Sequence, residues 1–226
     1  TVLRAKPQSS MAVALGLVKK GEADAIVSAG STGALLSGAT LFCKRIKGVR
    51  RGAVAPVMPC KGGQVLLIDA GANTECTPEY LLQFGVMGSL YMQKIKGIAN
   101  PRVGLVNNGS EDSKGDPLRR EAYALLKAAG EAGHINFVGN VEGRDVPLGA
   151  CDVAVCDGFA GNVMLKTIEG VAKFMAGAIK DVFTANLGTK LAYLACKKGM
   201  DDFRSLFDQD AVGGAPFIGI SRPVIK

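Results

Sequence analysis

Two short polar stretches concentrate the side chains able to do chemistry. NNGSEDSKG (residues 107–115) gathers amides, a hydroxyl at Ser110, the carboxylates Glu111 and Asp112, and Lys114. Asn107, Asn108, Ser110 and Lys114 could donate to an oxyanion or phosphate while Glu111 or Asp112 orients them; the alternative is a mobile polar loop. In CDGFAGNVMLK (156–166), Asp157 ends an apolar run and Gly158 and Gly161 permit a sharp turn. Asn162 stands where it could cap the following helix, and Lys166 lies one turn further on, in reach of the loop. That is a cradle for phosphate or a polar acyl group, or else a capped helix with a solvated lysine. SAGSTGA (28–34), with Gly30, Ser31, Thr32 and Gly33, and IDAGAN (68–73), ending in Asn73, share the texture. A glycine-rich turn before a helix points free backbone N–H groups and the positive dipole end outward, which suits an anion.

Several chemistries are excluded by what is missing. His134, in EAGHINF, is the only histidine and reads as a solvated loop residue, so a histidine base is not expected. The six cysteines (Cys43, Cys60, Cys76, Cys151, Cys156, Cys196) form no CxxC pair and have no histidine at ligand spacing. They read as reduced thiols of a cytoplasmic protein, with no metal and no cofactor called for. Neither GxxxxGK[ST] nor GxGxxG occurs, which argues against nucleotide sites of those types. The formal charge of +7 comes with dispersed lysines, no Trp and 6% aromatics, so a nucleic-acid stacking platform is not expected. An acidic carrier protein and anionic lipid suit the charge better. Asp201, Asp202, Asp208 and Asp210, interleaved with Phe203, Leu206 and Phe207, read as a solvated helical face rather than a metal site.

Elements must position these groups. The 226 residues are 48% hydrophobic, enough for a sizeable core, and no apolar run approaches the ~20 residues of a spanning helix. Short apolar runs at 23–30, 53–58, 64–71, 102–109, 135–141, 152–158 and 216–220 read as strands, most of them continuously apolar in the manner of strands covered on both faces. Thr77-Pro78 and Asp116-Pro117 are cap-and-proline signals opening helices. The first is expected to bury Phe84, Met87, Tyr91 and Ile95, the second Leu118, Ala122, Leu125 and Ala129. Strand and helix in alternation predict an α/β/α sandwich of three layers with a mostly parallel sheet. The polar turns then fall beyond the strand C-termini, where such sheets bind ligands.

From Val163 to about Asp208 the pattern is helical, with a break near Asn186-Leu187-Gly188. Lys166, Lys173 and Lys180 make a polar stripe opposite Ile168, Val171, Met175, Ile179 and Val182. Phe183, Leu187, Leu191, Tyr193 and Leu194 follow near Lys190, Lys197 and Lys198. A helical hairpin over 163–208 is predicted, either packing in a dimer and touching a membrane with its tip, or serving ordinary packing.

In order along the chain, SAGSTGALLSG, LIDAGAN, RVGLVNNGSEDSKG, INFVGNVEGRD, VCDGFAGNVMLKTIEG and GGAPFIGI resemble the bacterial phosphate acyltransferases of phospholipid synthesis, the acyl-ACP:phosphate acyltransferase or PlsX family. The resemblance covers nearly the whole chain. It implies a fold like that of phosphotransacetylases and isocitrate dehydrogenase, with residues 1–226 as a single α/β domain. It also implies a homodimer, soluble or peripheral at the membrane. The reaction implied joins acyl-[acyl-carrier-protein] and inorganic phosphate into acyl phosphate, which a membrane acyltransferase passes to glycerol 3-phosphate. Family members open with a further strand and glycine-rich loop and continue past the position of Lys226, so the chain is expected to be an internal portion.

The residues fit such a reaction on physical grounds. Phosphate is its own nucleophile, so the protein need supply only position and charge stabilisation. Positioning can contribute on the order of 7–11 kcal/mol, and each oxyanion donor roughly 2.7–4 kcal/mol. Backbone N–H groups of SAGSTGA and DGFAGN, with Lys114 and Lys166, are the expected donors. Similarity to phosphotransacetylases, whose equivalent loop carries a catalytic serine, assigns Ser110 to the thioester or leaving sulfur. A CoA-dependent phosphotransacetylase-like enzyme and a non-catalytic carrier- or membrane-binding scaffold are the alternative readings.

Overall fold

The computed structural model describes residues 6–206 and 214–226. In chain order the elements are α1 (Ser10–Lys20), β1 (Ile26–Val27), α2 (Thr32–Phe42), β2 (Ala53–Val54), β3 (Val57–Cys60) and β4 (Gly63–Ile68). There follow α3 (Pro78–Lys94), β5 (Arg102–Asn107), α4 (Pro117–Glu131), β6 (Asn136–Glu142), β7 (Val153–Val155), α5 (Gly158–Thr184), α6 (Leu187–Leu206), β8 (Phe217–Ile218) and β9 (Val224–Ile225). The chain divides into two compact units, residues 1–162 with 214–226, and residues 163–213.

The first unit is built on a five-stranded sheet in the order β3-β4-β7-β5-β6. Its β4–β7, β7–β5 and β5–β6 pairs are parallel; only the β3–β4 hairpin is antiparallel. The fold is therefore mixed α/β with a mostly parallel main sheet. Register aligns Leu66 with Val153 and Val103, and Ile68 with Val155 and Leu105, and all six side chains are fully buried. Two short pairs complete the unit, β1–β9 parallel and β2–β8 antiparallel. At the N-terminal end of the sheet, Arg102 and Asp152 pin β5 to β7: the Arg102 backbone N–H and guanidinium both donate to the Asp152 carboxylate at 2.7–3.1 Å.

Every apolar run read as a strand contains one, although several are shorter than the run; the run at 53–58 divides between β2 and β3. The β9 strand has no long apolar run to announce it. His134 is exposed in the turn before β6.

α3 turns differently from the expectation. Phe84 is buried, but Ile95 is 64% exposed and Met87 and Tyr91 are only half-buried. The buried stripe is Leu81, Phe84, Gly85, Gly88, Ser89 and Met92. Small residues let the helix backbone approach the sheet: a Cβ on Gly88 would lie 2.6 Å from Val153 Cγ1. An apolar-periodicity reading gives weight to large residues and misses such a face. On α4, Ala122 and Leu126 are fully buried, whereas Leu118, Leu125 and Ala129 are half-buried.

In the second unit, α5 and α6 are separated at Ala185 and Asn186. The break is a reciprocal cap: the Thr189 N–H donates to Asn186 Oδ1 at 3.0 Å and the Asn186 N–H to Thr189 Oγ1 at 3.1 Å. Phe183 and Tyr193 meet edge-to-face, ring centroids 5.5 Å apart. Val171, Phe174, Val182, Leu187, Leu191 and Leu194 are exposed. Phe207, Asp208 and Asp210 lie outside the described residues. No helix among the described residues is long and apolar enough to cross a membrane.

The close approach at Gly88 makes a prediction. Gly88→Val should destabilise the protein by about 1–3 kcal/mol through overpacking against Val153, read as a lower denaturant midpoint at unchanged slope. An unchanged midpoint would contradict the packing described.

Candidate active site

β4, β7 and β5 are neighbours and run the same way, so the turns at their C-terminal ends lie side by side. The turn after β4 is organised by Asp69, which is fully buried. Its carboxylate accepts from the Val54 N–H at 3.0 Å, the Ala72 N–H at 3.1 Å, the Asn73 N–H at 2.6 Å and Asn73 Nδ2 at 2.9 Å. Asn73 Nδ2 also donates to the Gly52 carbonyl at 2.9 Å. Burial raises the Asp69 pKa, and the bonds from the Asn73 side chain and the Ala72, Val54 and Asn73 amides oppose that rise.

The turn after β7 interlocks with the first. The Gly158 N–H donates to the Asn73 carbonyl at 2.7 Å, the Asp69 N–H to the Cys156 carbonyl at 3.0 Å, and the Cys156 thiol lies 3.3 Å from the Asp69 carbonyl. Contact is so close that a Cβ on Gly161 would lie 1.9 Å from the Asp69 carbonyl oxygen. Helix α5 starts at Gly158, earlier than the expected Asn162 cap, and Asp157 is the capping residue: its Oδ1 accepts the Ala160 N–H at 2.9 Å. Asn162 falls in the second turn, with its side chain against Gly71.

Arg119 joins this turn to the third. From the first turn of α4 its guanidinium donates to Asp116, its own helix cap, at 2.6 Å and to Asp157 at 2.5 Å. The turn after β5, residues 107–115, is shaped from within. Buried Asn107 donates from Nδ2 to the Lys114 carbonyl and to Asn140 Oδ1, both at 3.1 Å. Asn140, on β6, donates to the Glu111 carbonyl at 2.8 Å. Asp112 faces outward to Lys127 at 3.5 Å. Asn108 and Ser110 stay exposed, and the Lys114 ammonium sits 3.9 Å from Glu111, a loose pairing.

Three of the four polar turns thus share an edge and are bonded together. SAGSTGA is built differently: it follows β1, which pairs with β9 outside the main sheet. Ser31 caps α2, its Oγ accepting from the Ala34 N–H at 3.5 Å, and the Gly30 N–H donates to Ser28 Oγ at 3.2 Å. Among the described residues no hydrogen bond links this turn to the other three. Lys166 belongs to the second unit, where its ammonium is held by both carboxylate oxygens of Glu169 at 2.8–2.9 Å.

The cysteines near the turns are poor nucleophiles. Burial, with the negative charges of Asp69 and Asp157, pushes the Cys76 thiol up to about 12. The same causes act on fully buried Cys156, its pKa raised well above the ordinary thiol value by burial first and then by Asp157 and Asp69. Thiols so held stay protonated near neutrality and do not attack carbonyls.

Sequence reasoning missed four groups: Asp69, Asp116 as an ion-pair partner, Arg119 and Asn140. Asn140 left a trace, an amide inside an apolar strand run. Arg119 left almost none, because its partner Asp157 is 38 positions away.

Solved structures of the same fold include phosphotransacetylases. The EutD phosphotransacetylase from Staphylococcus aureus superposes with TM-score 0.56 at 20% identity, covering 93% of this chain and 59% of that one. A phosphotransacetylase from Streptococcus pyogenes gives TM-score 0.60 at 19% identity, over 93% and 58%. Over residues 1–226 the sequence matches the fatty acid synthesis protein family, and the chain belongs to it. It is 47% identical over 224 residues to the phosphate acyltransferase of Caldanaerobacter subterraneus subsp. tengcongensis, covering 99% of this chain and 66% of the relative. To that of Thermoanaerobacter pseudethanolicus it is 48% identical over 226 residues, covering 100% and 67%. The chain spans about two thirds of the length of these relatives.

The Asp69 cluster is testable. Asn at this position places an amide NH₂ against either the Val54 or the Asn73 N–H, whichever way it turns. Asp69→Asn should therefore cost about 2 kcal/mol or more, measured by chemical denaturation. A variant as stable as the parent would show that the carboxylate does not hold these turns.

Proposed function

We propose that the chain carries the site of a phosphate acyltransferase that converts acyl-[acyl-carrier-protein] and inorganic phosphate to acyl phosphate. The observation that supports it most is the bonded edge of three polar turns, with protonated thiols and no histidine beside them. Such a site offers position and charge stabilisation without a protein nucleophile, and family membership points the same way. A phosphate oxygen attacks the thioester carbonyl carbon, charge gathers on the carbonyl oxygen, and the carbon–sulfur bond breaks. The carrier's thiolate leaves and takes a proton.

The geometry supports a division of roles. Asn73, Asn107 and Asp157 are spent on holding backbone and act as positioning residues. Asn108, Ser110 and Lys114 are exposed, Lys114 only loosely held by Glu111, and can meet the anion or the leaving sulfur. The backbone N–H groups of Ser31, Thr32 and Gly33 are further donors. Those of Gly158 and Gly161 are spent on the Asn73 and Asp157 carbonyls, against the expectation for DGFAGN. Lys166 is paired with Glu169 within the second unit, and Asn162 packs behind the turn. As a homodimer, the protein would work beside the membrane and hand acyl phosphate to a membrane glycerol-3-phosphate acyltransferase. The exposed apolar residues of α5 and α6 support peripheral contact.

Incubation with acyl-carrier protein and phosphate, trapped by hydroxylamine, should give acyl hydroxamate only when phosphate is present. Ser110→Ala and Lys166→Ala should each cut turnover at least tenfold with thermal stability unchanged. Absence of phosphate-dependent hydroxamate would sink the reaction; near-normal rates in both variants would remove these two residues from it. Faster turnover with acyl-CoA would shift the substrate to the phosphotransacetylase type.

A further inference from the structure

The positive charge of the chain is concentrated. Between Asp24 and Asp69 there is no carboxylate at all, while Lys44, Arg45, Lys47, Arg50, Arg51 and Lys61 supply six cations. Outside this stretch the opposing charges nearly balance, so it accounts for almost all of the net +7. Five of the six lie within residues 44–51, all five are exposed, and none forms an ion pair among the described residues. Glu79 feels Arg50, but its pKa is lowered chiefly by the Thr77 hydroxyl.

Like charges crowded on a loop repel, and a loose loop would spread them. This one is fastened instead. Gln83 of α3 clamps it, donating from Nε2 to the Gly48 carbonyl at 3.0 Å and accepting the Arg50 N–H at 2.8 Å. The Ile46 N–H donates to the Gly219 carbonyl and the Ser221 N–H to the Lys44 carbonyl, each at 3.0 Å. Arg45 donates to the Arg50 carbonyl, and Lys44 sits at φ +65°, a left-handed conformation uncommon for a residue with a side chain. The backbone is fixed through its own polar groups and through Gln83, leaving Lys44, Lys47, Arg50 and Arg51 without a carboxylate partner.

The loop also runs into the candidate site. One residue past Arg51, the Gly52 carbonyl accepts from Asn73, and the Val54 N–H donates to Asp69. We propose that residues 44–51 form a preorganised docking surface for an acidic protein, and that this protein delivers the thioester to the turn at Asp69. The delivery clause rests on the transferase reading above. A protein surface fits better than other polyanions. Single-strand nucleic-acid sites stack bases on open aromatic faces, and Tyr80, the ring at this loop, has Arg51 over it at 5.9 Å. A bilayer needs apolar side chains to insert, and within 44–51 only Ile46 is both apolar and exposed.

The test is the double variant Lys47→Glu/Arg50→Glu, whose side chains make none of the loop's fastening bonds. At low salt, kcat/KM for acylated carrier protein should fall at least tenfold, the gap narrowing as salt rises. Turnover of acyl-pantetheine, a neutral thioester with no protein attached, and the thermal midpoint should not change. Equal losses on both substrates, or no loss on the carrier, would overturn docking. Binding of the immobilised carrier protein is measured separately from turnover. Salt-dependent binding by the parent that the double variant loses supports docking even if no acyl phosphate forms. Unchanged carrier binding by the variant, with loss confined to phosphatidylglycerol vesicles or to a single-stranded oligonucleotide, would assign the loop to those partners instead.

Discussion

A buried carboxylate ties the site together. Asp69 has no exposure to solvent, and its charge is tolerated because main-chain and side-chain donors from β2, from its own turn and from Asn73 converge on it. Charge taken out of water without such partners costs several kcal/mol, so the turn after β4 has little freedom to adopt another path. The path it takes sets the next turn: the Asn73 carbonyl receives Gly158, and the Asp69 carbonyl leaves room for nothing larger than hydrogen at Gly161. From there Asp157 and Arg119 pass the constraint to the start of α4 and so to the loop after β5.

This chain of bonds separates residues that build from residues that face outward. Asn73, Asn107, Asn140 and Asp157 are buried and satisfied, while Asn108, Ser110 and Lys114 are exposed on the same scaffold. Catalysis by positioning requires that arrangement, since donors held by a rigid frame need no reorganisation when charge develops on a reacting oxygen. The cysteines support the same division: Cys76 and Cys156, next to two carboxylates, are kept as thiols.

How much of this could be read beforehand depends on where the signal resides. Strands at 63–68, 102–107 and 153–155 follow from local apolar runs, and the cap at Asp116 and the helix break near Asn186 from local turn chemistry. The three-turn edge follows from parallel order. The packing face of α3 was not legible, because Gly85 and Gly88 contribute by being small, which hydrophobic periodicity does not register. The start of α5 was misplaced because Asp157 and Asn162 are equally good caps by type, and only the contact with Asn73 decides between them. Arg119 was missed since its role is a long-range ion pair. The basic loop is hidden by averaging: the cations are spread over 226 residues, and the signal is the lack of carboxylates between Asp24 and Asp69.

A site that only positions phosphate against a thioester needs no covalent bond between protein and acyl group. Intact-protein mass spectrometry after mixing with acylated carrier protein in the absence of phosphate tests this most directly. Direct attack predicts an unshifted mass at every time point. An acyl adduct, on Ser110 or on any of the cysteines, would contradict it.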